Sequence, residues 1–135
     1  MKKLFVLAAA FAAFSCRQQD APPAVETAFE KSFPNTTVEK WNKEDDKYEA
    51  EFSKEGKSMS ATFDVAGNLV ETETDIAVSE LPAAITDYVK INYEGAAIKE
   101  AEIIQKGSDT MYELEVKDAE LLFDMNGQFL KAEED

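Results

Sequence analysis

Apolar and polar residues alternate along several short runs of this chain, and two other runs are apolar at helical spacing. Tyr48, Ala50 and Phe52 alternate with Glu49 and Glu51, and Met59, Ala61, Phe63 and Val65 alternate with Ser58, Ser60, Thr62 and Asp64. A period of two belongs to a strand with one buried face. Val25, Ala28, Phe29 and Phe33 fall three and four residues apart and so share one face of a helix. After Val65, Ala66-Gly67-Asn68 supplies residues that accept positive φ, which predicts a hairpin.

The whole pattern occurs twice. Phe63, Asp64 and Gly67 reappear as Phe123, Asp124 and Gly127, each shifted by 60. The helical stripe reappears as Ile85, Tyr88, Val89 and Tyr93, again shifted by 60. Asp20 and Ser79 are the expected caps of the two helices. Val38–Lys43 and Ile98–Ile104 read as first strands, and Tyr48–Phe52 and Tyr112–Val116 as second strands. The offset between those second strands is 64, so the second copy carries four extra residues. They are expected in the hairpin loop around Lys106-Gly107-Ser108-Asp109, and a tighter turn at Lys117-Asp118 than at Ser53–Ser58 recovers them. Internal repetition of this kind fixes architecture. The fold class is α+β, with two tandem helix-plus-four-strand repeats, 22–78 and 79–135, forming one antiparallel sheet with both helices on one face. The other face is expected to be open and to carry Glu49, Glu51, Ser58, Ser60, Thr62, Glu113 and Glu115.

Leu81-Pro82, Ile85, the aromatic Tyr93, Ile98 and Phe123-Asp124 followed by Gly127 resemble the PepSY-like, β-lactamase-inhibitor-like domains of small exported bacterial proteins. The two copies cover residues 22–132. The resemblance implies tandem repeats forming one curved sheet. It also implies a protein that docks its open sheet face and hairpin loops against a hydrolase. The chain departs from that pattern in having no cysteine pair within the repeats, and no inhibitory residue can be matched by motif.

Composition narrows the chemistry. The 135 residues are 44% hydrophobic and 31% charged, which is the balance of a globular domain. A formal net charge of −14 opposes binding to nucleic acid and to anionic lipid. There is no histidine and a single cysteine, which removes Ser-His-Asp and Cys-His arrangements and imidazole–thiolate zinc sites. Five glycines supply no phosphate-cradling loop. Asp64 and Asp124 lack the alternating oxygen ligands of a calcium loop and read as turn residues. No cofactor and no enzymatic activity are expected.

The first residues read as a targeting segment. Lys2 and Lys3 precede an apolar run, Leu4–Phe14, too short to cross a bilayer comfortably. Ala13-Phe14-Ser15-Cys16 resembles the lipobox of bacterial lipoproteins, although cleavage by ordinary signal peptidase fits the same stretch. A lone cysteine has no partner for an intramolecular disulfide in an exported chain, and lipidation of Cys16 accounts for it. Residues 1–15 are then a signal peptide and 16–21 a tether. Arg17 after the cysteine implies, by that resemblance, an outer-membrane anchor facing the periplasm.

Two function classes remain. One is a non-catalytic binding module for a protein of the cell envelope, acting through the open face as an inhibitor or modulator. The other is a small-molecule or peptide binder or a passive envelope component. For the first, Trp41 with Glu39, Lys43 and the acidic loop Glu44-Asp45-Asp46 has the composition of an interface anchor with a charged rim. Strict alternation from Val38 puts Trp41 on the open face, whereas a bulge in that strand returns the indole to the core.

Overall fold

The computed structural model describes residues 20–134. The expected signal peptide, Cys16 and most of the expected tether lie outside the described residues. Two helices, α1 (Pro23–Ser32) and α2 (Ala83–Asn92), each precede four strands. These are β1 (Val38–Glu44), β2 (Lys47–Lys54), β3 (Lys57–Asp64) and β4 (Leu69–Asp75), then β5 (Ile98–Lys106), β6 (Asp109–Val116), β7 (Ala119–Asp124) and β8 (Phe129–Glu134). The strands form one eight-stranded antiparallel meander in sequence order, with the repeats joined where β4 pairs with β5.

The helices start later than the expected caps. Each begins immediately after a proline, Pro22 and Pro82, and neither has a side-chain cap. These prolines are the N-cap residues, extended at ψ 148° and 142°, and their carbonyls accept the N–H groups of Val25 and Ile85 that open the two helices. Ser79 instead lies in a single 3-10 turn, Val78–Glu80. There Glu80 accepts a hydrogen bond from the Ala77 N–H at 2.7 Å and pairs with Lys57 at 2.7 Å.

Each helix buries its stripe against one sheet face. Val25, Phe29 and Phe33 pack with Trp41, Phe52 and Phe63. Ile85 and Val89 pack with Leu114, Leu121 and Phe123. Phe63 and Phe123 are fully buried beneath their helices, with Phe63 6.4 Å from Phe29 and Phe123 5.3 Å from Tyr88 between ring centroids. The hairpin tips complete each unit. Asp64 Oδ1 accepts the N–H groups of Ala66 and Asn68, and Asp124 Oδ1 accepts those of Asn126 and Gln128. Gly67 has φ +88°, and a Cβ there would meet the Ala24 carbonyl oxygen of α1 at 2.8 Å. Glycine is therefore required both by the turn and by the closeness of the helix.

The four extra residues of the second repeat do not lengthen a loop. The β1–β2 and β5–β6 turns are both two residues long, Asp45-Asp46 and Gly107-Ser108. The β5–β6 ladder is longer instead, and the β6–β7 ladder is shorter than β2–β3 by the matching amount. Inserting residues in pairs keeps side-chain parity, and so leaves the core face unchanged.

Trp41 belongs to the core. Val38 opposes Phe52, Lys40 opposes Glu51, and Glu39 is the extra residue of a bulge between them. That one insertion reverses parity, so Val38 and Trp41 share the helix-covered face. Trp41 is 9% exposed and meets Phe29 edge-on at 5.9 Å. Its repeat counterpart, Ala101, is matched by opposite changes along the same row. Trp41 stands beside Ala50 and Ala61, while Ala101 stands beside Leu114 and Leu121. The volume is kept and redistributed across three strands.

Trp41→Ala is expected to destabilise the fold by about 3–5 kcal/mol. Adding Ala50→Leu and Ala61→Leu, which copies the row of the second repeat, should recover much of that loss. Denaturant midpoints of the single and triple variants check this. A triple variant less stable than Trp41→Ala would refute the exchange of volume along the row.

Candidate functional site

The open face is set by the register. On β2, Glu49 and Glu51 face away from the helices. On β3, Ser60 and Thr62 do so, on β4 Glu71, Glu73 and Asp75, and on β6 Glu113 and Glu115. Two apolar residues on this face are buried. Ile104 opposes Glu73, and Leu122 opposes Glu113, and they are only 2% and 3% exposed. Such burial on a face without helices means that the flanking side chains close over them.

The candidate rim residues lie along the β1 edge of the sheet and in the turn that follows it. Glu39, in the bulge, accepts a hydrogen bond from Ser53 Oγ at 2.7 Å. Lys43 lies 5.8 Å from the Tyr48 ring centroid. Glu44 ends β1, and Asp45-Asp46 forms the exposed turn, with Asp46 3.3 Å from Lys47. The structure gathers Lys43, Glu44, Asp45 and Asp46 at the β1–β2 end, with Lys43 beside Tyr48 on the helix-covered side, leaves Glu39 at the far end of β1, and withholds Trp41, their expected apolar anchor. Cys16 lies outside the described residues.

The strongest electrostatic feature lies elsewhere, at the seam between the repeats. Asp75 opposes Glu102, which in turn opposes Glu113, so three carboxyl groups line up across β4, β5 and β6. Like charges directly opposite one another are destabilising. Burial, aided by the charge of Glu102 and a hydrogen bond with Glu71, holds the Glu73 carboxyl well above the usual range. Burial and the neighbouring Asp75 do the same for Glu102. Burial, with Glu71 and Glu133, pushes Glu113 up to about 7, against a smaller lowering by Lys131. Glu49 is raised by burial too, though a hydrogen bond from Asn42 at 3.1 Å opposes the shift. Asp64, by contrast, is lowered by hydrogen bonds, first from the Asn68 side chain, as befits a turn residue. Among the described residues no group of three or more Cys, Asp or Glu side chains is placed to hold a metal ion.

Alternation had marked Glu113 as open-face. It did not mark Glu73 or Glu102, because nothing in their own strands shows that β4 and β5 meet. Leu122 was masked by Leu121 and Phe123, since three consecutive apolar residues carry no parity.

The seam gives stability a definite pH dependence. Glu73, Glu102 and Glu113 bind protons more tightly folded than unfolded, so their contribution is fully present below the unfolded value of about 4.5 and is lost as pH rises through the folded values. Melting temperature is expected to fall by a few degrees between about pH 5 and about pH 8.5. Glu102→Gln should flatten that slope and raise melting at the alkaline end. A melting temperature rising across that interval would contradict the assignment.

The fold has solved relatives. A DUF2874 family protein of Bacteroides uniformis is 22% identical, over 85% of this chain and 90% of its own, with a TM-score of 0.78. Another from Bacteroides ovatus is 19% identical over 86% and 89%, with a TM-score of 0.76. A BLIP-like protein of Bacteroides fragilis is 23% identical over 86% and 87%, with a TM-score of 0.71. No curated protein sequence matches. The family model described as beta-lactamase-inhibitor-like, PepSY-like matches twice, at residues 13–71 and 46–131. The chain belongs to this beta-lactamase-inhibitor-like, PepSY-like family.

Proposed function

We propose that this protein is a non-catalytic binding module that holds a protein partner of the cell envelope against its open sheet face. One observation carries the reading. The two helices cover one face of the sheet, and the other face presents desolvated carboxyl groups around buried Ile104 and Leu122. An eight-stranded sheet offers an area on the scale of a protein interface, and a mixed polar and apolar surface suits one. The BLIP-like name of the Bacteroides fragilis relative supports an inhibitory or modulating role.

In this reading the exposed residues Glu39, Lys43, Glu44, Asp45 and Asp46 line the β1 edge of the sheet and steer the approach of the partner. Trp41 contributes through the fold and not through contact. The relative from Bacteroides eggerthii is provisionally called periplasmic, which supports the same compartment here. The pattern of residues 2–16 supports export and an outer-membrane lipid anchor on Cys16.

A photo-crosslinking residue at Thr62, on the open face, should trap a discrete protein in envelope preparations. The same residue at Thr27, on the exposed side of α1, should not. The mass of the mature N-terminus in that preparation should include a lipid on Cys16. Adducts from Thr27 alone would move the interface to the helical face, and an unmodified Cys16 would remove the anchor.

A further inference from the structure

Ion pairs compensate the open face at its flanks and at one end of the β4–β5 seam, but not at Glu73, Glu102 or Glu113. Toward one edge Lys40 lies 3.9 Å from Glu51. Toward the other, Lys99 lies 3.1 Å from Glu115, and Lys131 pairs with Glu133. Lys106 is drawn to Glu71 at 3.4 Å. Among the described residues no ion pair reaches Glu73, Glu102 or Glu113.

The centre is also the driest part of the face. Ile104 lies on the same strand face as Glu102 and opposite Glu73, and Leu122 lies opposite Glu113. Carboxyl groups beside apolar side chains lose hydration, and here only the more distant charge of Lys131 acts against that loss, at Glu113. A cation set among them would offset it, and attraction is stronger there than at a wet surface. Half-buried Met111, opposite Ile104, offers an apolar flank to an aliphatic stem. Lysine and arginine combine such a stem with a charged head. The net charge of −14 would draw a basic partner from a distance.

Building on the reading of the open face as a protein-docking surface, we infer that the seam receives a lysine- or arginine-bearing segment of the partner. Glu73, Glu102 and Glu113 hold its cationic head, and the flanking ion pairs form the border of the contact.

A fluorescein-labelled octalysine peptide is the probe, titrated with the protein and read by anisotropy at low and moderate salt. Glu73→Gln/Glu102→Gln is compared with Glu26→Gln/Glu30→Gln, which removes the same number of carboxyl groups from the exposed side of α1. The seam substitution should weaken octalysine binding about tenfold. The helix substitution should weaken it by less than about twofold, since screening limits the reach of distant charges. Because removing buried carboxylates favours the fold at alkaline pH, melting separates lost binding from unfolding. Equal losses in both variants, or no binding of octalysine at low salt, overturn the proposal. Tight binding of spermidine or of calcium alone, abolished by the seam substitution, would assign the centre to a small cation and overturn it too. A partner trapped at Thr62, together with octalysine binding insensitive to the seam, would keep the docking surface and reject its cationic occupant. No partner trapped at Thr62 would reject the docking surface itself.

Discussion

The structure depends on one requirement: each short helix must find a flat, fully apolar row of side chains beneath it. A ten-residue helix is marginal by itself, and its stability comes from packing. Under α1 the row runs through Trp41, Ala50 and Ala61, and under α2 through Ala101, Leu114 and Leu121. The bulges in β1 and β5 exist on the same terms. Each turns Val38 or Ile98 and the residue three places on toward the same helix. The hairpin glycines let the chain pass under the helix N-termini, where Gly67 leaves no room for a Cβ. Helix, bulge and hairpin tip are thus one cooperative unit, used twice.

That cooperativity decides what could be read in advance. The repeat, the order of elements, the open face and both aromatic core positions follow from periodicity, because each is a local pattern. The bulge is not local. Whether β1 keeps parity from Val38 to Trp41 depends on β2, which opposes Lys40 with Glu51 and leaves Glu39 unmatched. A signal was nevertheless present in Ala50 and Ala61, set against Leu114 and Leu121. Small residues facing the place where one copy has tryptophan and the other alanine point to shared core volume. Read alone, Trp41 beside Glu39, Lys43 and the acidic loop has the composition of a binding anchor. Read across three strands, it is packing.

The seam lay further from reach. Its chemistry arises from β4 meeting β5, two strands separated in sequence by a 3-10 turn and α2. The contact joins the end of one repeat to the start of the next and has no counterpart inside either. Repeat symmetry therefore says nothing about it. Glu73 and Glu102 look like ordinary polar positions of half-buried strands, and become unusual only when Asp75, Ile104 and Glu113 are placed beside them.

The seam is also where the fold departs from its own rules. Elsewhere several charges on the open face are paired, the turn carboxylates of Asp64 and Asp124 are hydrogen-bonded, and each core row is filled. At the seam, carboxyl groups oppose one another over apolar side chains, and the sheet bears the cost of keeping them desolvated. Lysine at any one of those positions would relieve it, and lysines are available one or two strands away. Sites at which local consistency fails while the rest of a structure observes it are where function is expected. A partner that brings its own cation makes the frustration conditional: unfavourable in the free protein, relieved in the complex. Affinity then comes from a cost already built into the free sheet, so a small number of well-placed charges can discriminate among partners without large conformational change.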